Sequence, residues 1–448
     1  MIRLRKKFVP QRDIDLVVGG LNKYFQRMVE THTFNPAEMK NFMEPIFTEA
    51  GYRRTSVEMN NTPNVLIIHS HWGVGDFISL SPSLRALRQI YSDANITLIV
   101  NSGSGNLAEL CPYIDELILN PARYNWRDFL SIYQWNVELA KKLLLSRYDL
   151  VFPLAGFPSI FLLGYMGGGQ KIFGLPPKSD NDILEPFGDK IYKPLMIEVP
   201  RPNPRVNEAN IFSARMALVD SIAQHPITNR EGEVWLSAGD RAFACDLLSA
   251  ELSNGRKIYV ICMGGSAPRK QWQPQNYARL AQMIVKQEPD TKFVILGGGH
   301  IDEQEATMFR QSVDEKFFNE HIINLTNMCT YRQSGAILEL VDMYIGNDTG
   351  TMHMAAATKT PVLSPNCYSA ERPLGGIPAI VYPYHVPSVT VLVEHALPEC
   401  RDSKDGWGCR IANRPHCITQ ITVEKMFEAY NILKERIAAN NIEPLFIS

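Results

Sequence analysis

The chain lacks the features that would place it in several large protein classes. Its 448 residues carry 45 Lys and Arg against 47 Asp and Glu, a formal charge of -2. No global field draws such a chain to nucleic acid, and a nucleic-acid partner is not expected. No apolar run reaches the roughly 18 residues that suggest a membrane span. The start, Met1-Ile2-Arg3-Leu4-Arg5-Lys6-Lys7, is basic, but no apolar stretch of a leader follows it. A secretory signal is therefore not expected. Cysteine is sparse: eight residues, scattered, with no CxxC pair. That excludes a disulfide framework and reads as cytosolic thiols. Low-complexity tracts and tandem repeats are also missing. What is there has the balance of a globular protein, 45% hydrophobic and 21% charged residues, in a length that fits two domains.

Along the chain the hydrophobic pattern divides into four stretches. Residues 1–60 read as a helical extension, with Leu16, Val17, Leu21, Phe25 and Met28 near helical spacing and Asn35-Pro36 as a cap followed by proline. Residues 61–225 alternate strands with helices. Val65–Ile68, Ile96–Val100, Leu117–Leu119, Leu150–Phe152 and Lys171–Gly174 are the expected strands. After the polar connector Pro226–Gly232 the rhythm restarts over residues 226–420, with strands at Lys257–Cys262, Phe293–Leu296, Ile322–Leu325, Met343–Gly346 and Pro361–Leu363. Residues 421–448 begin with a last amphipathic helix. Strand–helix alternation of this kind predicts α/β architecture, two parallel sheets with helices on both faces. In such sheets ligands bind at the carboxyl ends of strands, and the glycine-rich turns of this chain fall there. One site between the two domains is the expectation.

Four turns are candidates. The first, His69–Asp76, holds Gly73 and Gly75 but has Ile78 where a dinucleotide fingerprint needs a third glycine. Asp76 has two readings, the cap of the next helix and a general base on an acceptor hydroxyl; spacing alone favours the cap. The second, Met263–Trp272, offers Gly264, Gly265 and Ser266 as donors, with Arg269 and Lys270 as cations for a diphosphate. A solvated basic loop is the equal alternative. The third, Gly297–Glu303, lets a ribose lie on bare backbone with Glu303 as acceptor, although an ordinary turn is the simpler reading. The fourth, Asn347–His353, opens a helix with Asp348, Thr349, Gly350 and His353. Free N–H groups and the positive helix end attract phosphate there, and these residues make a poor core. Cys400, Cys409 and Cys417 cluster late, beside His416, at spacings that match no zinc ribbon or finger. Free thiols are the preferred reading, and zinc or iron ligation is the weaker one.

Taken in order, these turns resemble glycosyltransferase family 9, the lipopolysaccharide heptosyltransferases. The resemblance runs from about Val65 to Leu433. It includes Gly75-Asp76 with Pro82 and Leu84–Arg88, Gly264 through Lys270-Gln271-Trp272, and Leu296-Gly297-Gly298 with Glu303. It continues in Gly346–Gly350 with His353 and in Cys417–Thr422. It implies a GT-B fold: an acceptor-side Rossmann-like domain (61–225), a nucleotide-sugar domain (226–420), and a final helix (421–448) crossing back to the first. It also implies inverting transfer with no cofactor or catalytic metal, from an ADP-sugar, ADP-heptose by family habit. Asp76 would then be the base, with Gly73 and Gly75 on the acceptor side. Gly264, Gly265, Ser266 and Lys270 would hold the diphosphate, and Glu303 the ribose. Asp348, Thr349, Gly350 and His353 would contact sugar and phosphate.

The acceptor side departs from the pattern. His69-Ser70-His71 stands where the family carries a cation, and Phe152–Pro158 is uncharged where the family has an acidic motif followed by arginine. A lipopolysaccharide-core acceptor is thus one expectation, and a protein or other surface glycan another. A nucleotide-sugar epimerase and a non-catalytic nucleotide-sugar-binding protein are the alternatives from other classes. The expected location is cytoplasmic. The basic start leaves open peripheral contact with the inner face of the inner membrane, and the extension leaves open a homo-oligomer.

Overall fold

The computed structural model describes residues 9–31, 34–53, 62–69, 73–120, 129–155, 159–175, 193–199, 211–265, 267–369, 382–398 and 413–448. The chain divides into two compact units. One comprises Met1–Trp72, Leu80–Pro204 and Ser213–Arg230; the other comprises Gly73–Ser79, Arg205–Phe212 and Glu231–Ser448.

The first unit opens with α1 (Gln11–Thr31) and α2 (Pro36–Glu49). Asn35 caps α2, accepting the Ala37 N–H at 3.0 Å, and Pro36 takes the first helical position, where no N–H is needed. There follow β1 (Asn64–His69), α3 (Val74–Ile90), β2 (Asn95–Asn101), α4 (Ser102–Ala108) and β3 (Glu116–Asn120). Next come α5 (Phe129–Leu143), β4 (Leu150–Ala155), α6 (Ser159–Met166), β5 (Lys171–Gly174), β6 (Ile197–Glu198) and α7 (Ile211–Asp220). The six strands form one parallel sheet in the order β3-β2-β1-β4-β5-β6.

The described part of the expected extension, residues 1–60, is helical, and its two helices pack on this sheet. Val17, Leu21, Met43 and Phe47 are fully buried in a core shared with Leu143, Leu163 and Leu66. Polar links seal it. Arg147 pairs with Asp13 at 2.9 Å, the Tyr52 hydroxyl donates to Leu144 O, and Arg53 lies over the Phe47 ring at 4.6 Å. The apolar faces of α1 and α2 are spent on their own unit.

The second unit holds α8 (Ala238–Ser253), β7 (Ile258–Cys262), α9 (Pro274–Gln287), β8 (Lys292–Ile295), α10 (His300–Gln311), α11 (Glu315–His321) and β9 (Ile322–Asn324). It continues with α12 (Tyr331–Leu340), β10 (Met343–Gly346), α13 (Gly350–Ala357), β11 (Val362–Ser369), β12 (Ser388–Val393), α14 (Val423–Ala438) and β13 (Leu445–Ile447). Its seven parallel strands run β13-β12-β11-β10-β7-β8-β9. Helix α8, absent from the sequence reading, is marked by a capping box in which Ser237 and Asp240 satisfy each other's backbone N–H.

The helix near the end of the chain, α14, buries Met426, Tyr430 and Leu433 in the core of the second sheet. Strand β13 then pairs with β12 at that sheet's edge. The 3.6-residue spacing of Val423, Met426, Tyr430 and Leu433 supplies one apolar stripe, and that stripe is consumed here.

Candidate functional site

Strand order in the second sheet reverses between β7 and β10, which lie side by side although three helix-linked connections separate them. A crevice at the carboxyl ends of strands opens at such a switch point. The turns after β7 and β10, two of the four candidates, therefore become neighbours. Asn347 ties them together. Its Oδ1 accepts the Trp272 N–H at 3.0 Å and the Tyr277 hydroxyl at 2.8 Å, and its Nδ2 donates to Met263 O. Trp272, fully buried, gives its indole N–H to Ile421 O at 2.8 Å, anchoring the end of the turn.

Within this frame Lys270 meets Asp348, Nζ to Oδ2 at 2.6 Å. Asp348 is buried and Lys270 nearly so. Burial works against the lysine's charge, but the Asp348 carboxylate, with Tyr368 and Cys367 nearby, overcomes it and holds the ammonium above its usual range. The Tyr368 hydroxyl is buried without a hydrogen-bond partner among the described residues.

Helix α13 begins beside this pair. Thr349 is its cap residue, in extended conformation, but its side chain caps no N–H and instead meets the Tyr344 hydroxyl at 3.3 Å. The first turn thus keeps its donors for other use. His353 is buried, and its Nδ1 has no partner among the described residues. Burial lowers its pKa, against the pull of Asp348 and Asp76 and with the help of Lys270, so the imidazole is neutral at neutral pH.

The first turn of α3, counted with the second unit, meets the first turn of α13. A Cβ on Gly75 would lie 2.7 Å from His353 Cδ2, and one on Gly350 would lie 2.9 Å from Gly75 N. Only glycine lets two helix starts approach this closely. Asp76 sits inside the helix, in its first turn, rather than at the capping position that spacing favours. Its Oδ2 lies 2.6 Å from where a Gly73 Cβ would be. Gly73, Gly75, Asp76, Lys270, Asp348, Thr349, Gly350 and His353 therefore come together, with Gly264 and Gly265 on the adjoining turn. Ser266 lies outside the described residues.

Glu303 is exposed on α10. Its neighbour Asp302 turns inward instead, accepting the Gly298 N–H at 2.9 Å and the Gly264 N–H. Three residues on, Glu305 is buried, and its Oε2 has no partner among the described residues. Desolvation first, then the nearby Asp302 charge, pushes its pKa to about 7 from the usual 4.5; Tyr277 on α9 faces it as well. An acid whose folded pKa is raised stabilises most below pH 4.5 and loses that contribution as pH climbs through 7. The shift corresponds to roughly 3 kcal/mol. Denaturant unfolding at pH 5 and pH 8 should show this loss in the wild type, and Glu305→Gln should flatten it. An equally steep slope in the variant would assign the pH dependence elsewhere.

Cys400 and Cys409 lie outside the described residues, and Cys417 is buried with its Sγ 3.3 Å from His416 Nδ1. A cavity of about 460 Å³ opens at the amino ends of the strands, where Lys257 pairs with Asp342 and Lys434 with Glu288, away from these turns. Among the described residues no helix is long and apolar enough to cross a membrane.

Asn347, Tyr368, Asp302 and Glu305 were missed by sequence reasoning. Asn347 stands inside the Gly346–Gly350 run, but nothing local marks its long-range bonds. Asp302 adjoins the glycines whose side-chain space it fills.

Comparison with known proteins agrees with this architecture. Residues 196–377 match the model of glycosyltransferase family 9 (heptosyltransferase). The chain is 23% identical over 309 residues to lipopolysaccharide heptosyltransferase 2 of Escherichia coli K12, covering 67% of this chain and 81% of that one. Among solved structures, the family 9 glycosyl transferase of Veillonella parvula superposes with a TM-score of 0.65 at 17% identity. That match covers 85% of this chain and 99% of the other. E. coli ADP-heptose lipopolysaccharide heptosyltransferase II gives 0.59 at 19%, over 84% and 99%. These likenesses bear out the GT-B fold implied by the sequence resemblance. The resemblance to glycosyltransferase family 9, the heptosyltransferases, thus holds in a family model over part of the chain and in curated relatives along two thirds of it, and the chain is a glycosyltransferase.

Proposed function

We propose that this enzyme moves heptose from ADP-heptose to a hydroxyl of a bacterial glycan, with lipopolysaccharide core as the acceptor, by a single inverting displacement. The observation that carries the reading is the meeting of the α3 and α13 first turns, glycine against glycine, with the Lys270–Asp348 pair beside them. The start of α13 offers N–H groups and partial positive charge, which suits a diphosphate, and the start of α3 brings Asp76 close to it. The donor identity follows the E. coli relative, whose name states ADP-heptose.

In this mechanism the acceptor oxygen attacks the anomeric carbon while Asp76 takes its proton. The bond from that carbon to the diphosphate oxygen breaks, and the electron pair leaves with ADP. Charge develops on the departing diphosphate, where preorganised donors act most strongly. Gly264, Gly265 and Ser266 supply the turn after β7. Thr349 and Gly350 supply the start of α13, and His353 adds a neutral hydrogen-bonding group. Lys270 has three N–H donors, one of which Asp348 occupies. Asp348 thereby aims the ammonium and leaves two donors for phosphate. Glu303 is the proposed ribose contact.

The uncharged end of β4 favours a second reading on the acceptor side. Phe152, Pro153 and Leu154 are buried and carry no charge to meet an acidic acceptor, so a protein or neutral surface glycan is the alternative.

A thermal-shift panel of ADP, UDP, GDP and their sugars tests the donor. ADP and ADP-heptose at about 100 times Kd should stabilise the protein by roughly 2.7 kcal/mol. Stabilisation by UDP or GDP but not ADP would refute the donor. Transfer assays with ADP-heptose on core lipopolysaccharide and on neutral glycans then decide between the acceptors. Conversion of the donor sugar with no acceptor present would mark an epimerase instead.

A further inference from the structure

The order β10-β7-β8-β9 sets four strand-end turns side by side, and one short side chain spans each neighbouring pair. Asn347, after β10, holds the turn after β7 through Trp272 N–H and Met263 O. Asn327, after β9, accepts the Gly299 N–H at 2.6 Å and gives its own N–H to Gly297 O at 2.9 Å. Asp302 makes the middle link, between the turns after β7 and β8. Its carboxylate accepts N–H groups from Gly298 and Gly264, and a Cβ on Gly264 would fall on its Oδ1. A Cβ on Gly297 would lie 2.7 Å from its Cβ. Glycine at 264 and 297 is therefore the room that Asp302 occupies.

Loop amides that cradle an anion are only as well placed as their supports. Hydrogen bonds to a carboxylate are roughly twice as strong as neutral ones, so Asp302 is a stiff support.

We propose that Asp302 is a positioning residue of the transfer reaction: by holding the Gly264 and Gly298 amides it sets the spacing of the diphosphate turn against the next turn, without touching substrate. This rests on reading the turn after β7 as the donor diphosphate turn. Asp302 acts through backbone, so its effect falls on any ligand that uses the diphosphate turn, with or without a nucleoside. The Gly264 side-chain space and the Asp302 carboxylate form one device, and damage to either breaks the same link.

The test measures affinity for ADP and for inorganic pyrophosphate in the full chain, with circular dichroism confirming the fold of each variant. Asp302→Ala should weaken both ligands by about tenfold, the scale of one lost strong hydrogen bond. Asp302→Asn, which keeps an acceptor oxygen, should recover most of that loss. Gly264→Ala, which expels the carboxylate, should match Asp302→Ala, and the double variant should be no worse than either single one. Additive losses would mean two unrelated packing defects and would overturn the proposal. A loss confined to ADP, with pyrophosphate unaffected, would make Asp302 a direct nucleoside contact and would also overturn it. Lys270→Ala, run in parallel, separates the two readings. If it weakens pyrophosphate while Asp302→Ala does not, positioning alone fails. If neither changes pyrophosphate affinity, the diphosphate turn itself is refuted.

Discussion

Asp76→Ala is expected to lower turnover by about 10²–10⁴-fold, the usual worth of general-base catalysis, while leaving ADP affinity nearly unchanged. The split follows from placement. Asp76 stands in the first turn of α3, with its carboxylate against Gly73, and its charge is felt at His353. The groups proposed to hold the diphosphate belong to other turns. A base removes a proton only as the acceptor attacks, so its loss is felt in the transition state and not in donor binding. Asp76→Asn keeps the shape and removes the basicity, and should fall in the same range. Steady-state kcat with a saturating donor, set beside ADP affinity by calorimetry, makes the comparison. Wild-type turnover in the alanine variant would remove Asp76 from the mechanism.

Lys270→Ala is expected to do two things that a second substitution can separate. It uncovers the buried Asp348 carboxylate, and breaking a buried pair from one side costs about 3–5 kcal/mol. It also removes a cation from the proposed diphosphate turn, weakening ADP by tenfold or more, since hydrogen bonds to charged groups contribute about 1.5–3 kcal/mol. Adding Asp348→Asn removes the stranded charge. The double variant should therefore regain most of the lost stability in denaturant unfolding, yet stay deficient in ADP binding. If Asp348→Asn restores affinity along with stability, Lys270 serves only its buried pair, and the turn after β7 is no phosphate site.

The legible part of this protein is the part governed by neighbours in sequence. Runs such as Val65–Ile68 and Tyr344–Ile345 declare buried parallel strands because both their faces are apolar. Asn35-Pro36 declares a helix start because the cap bond reaches only two or three residues on. The same locality misleads at Asp76, where spacing favours a cap but the helix has already begun at Val74. It is silent at α8, where apolar periodicity is weak and only the Ser237–Asp240 box marks the start. It stops short at the chain's end, since an amphipathic stripe states that a helix will be buried and not against which sheet.

From its own residues the sequence determined an α/β chain with glycine-bearing turns at strand ends, a helix start suited to phosphate, and a resemblance to one glycosyltransferase family. Only the tertiary structure decided how those turns work together. Lys270 and Asp348 are 78 residues apart, Asn347 and Trp272 are 75 apart, and the Gly264 position opens onto Asp302. The physical reason is strand order. Sequence sets what each turn can offer, but the sheet's placing of β10 beside β7 and β7 beside β8 sets which turns share a crevice. Long-range pairing of this kind leaves no periodicity in the chain, and the buried carboxyl of Glu305 leaves none either.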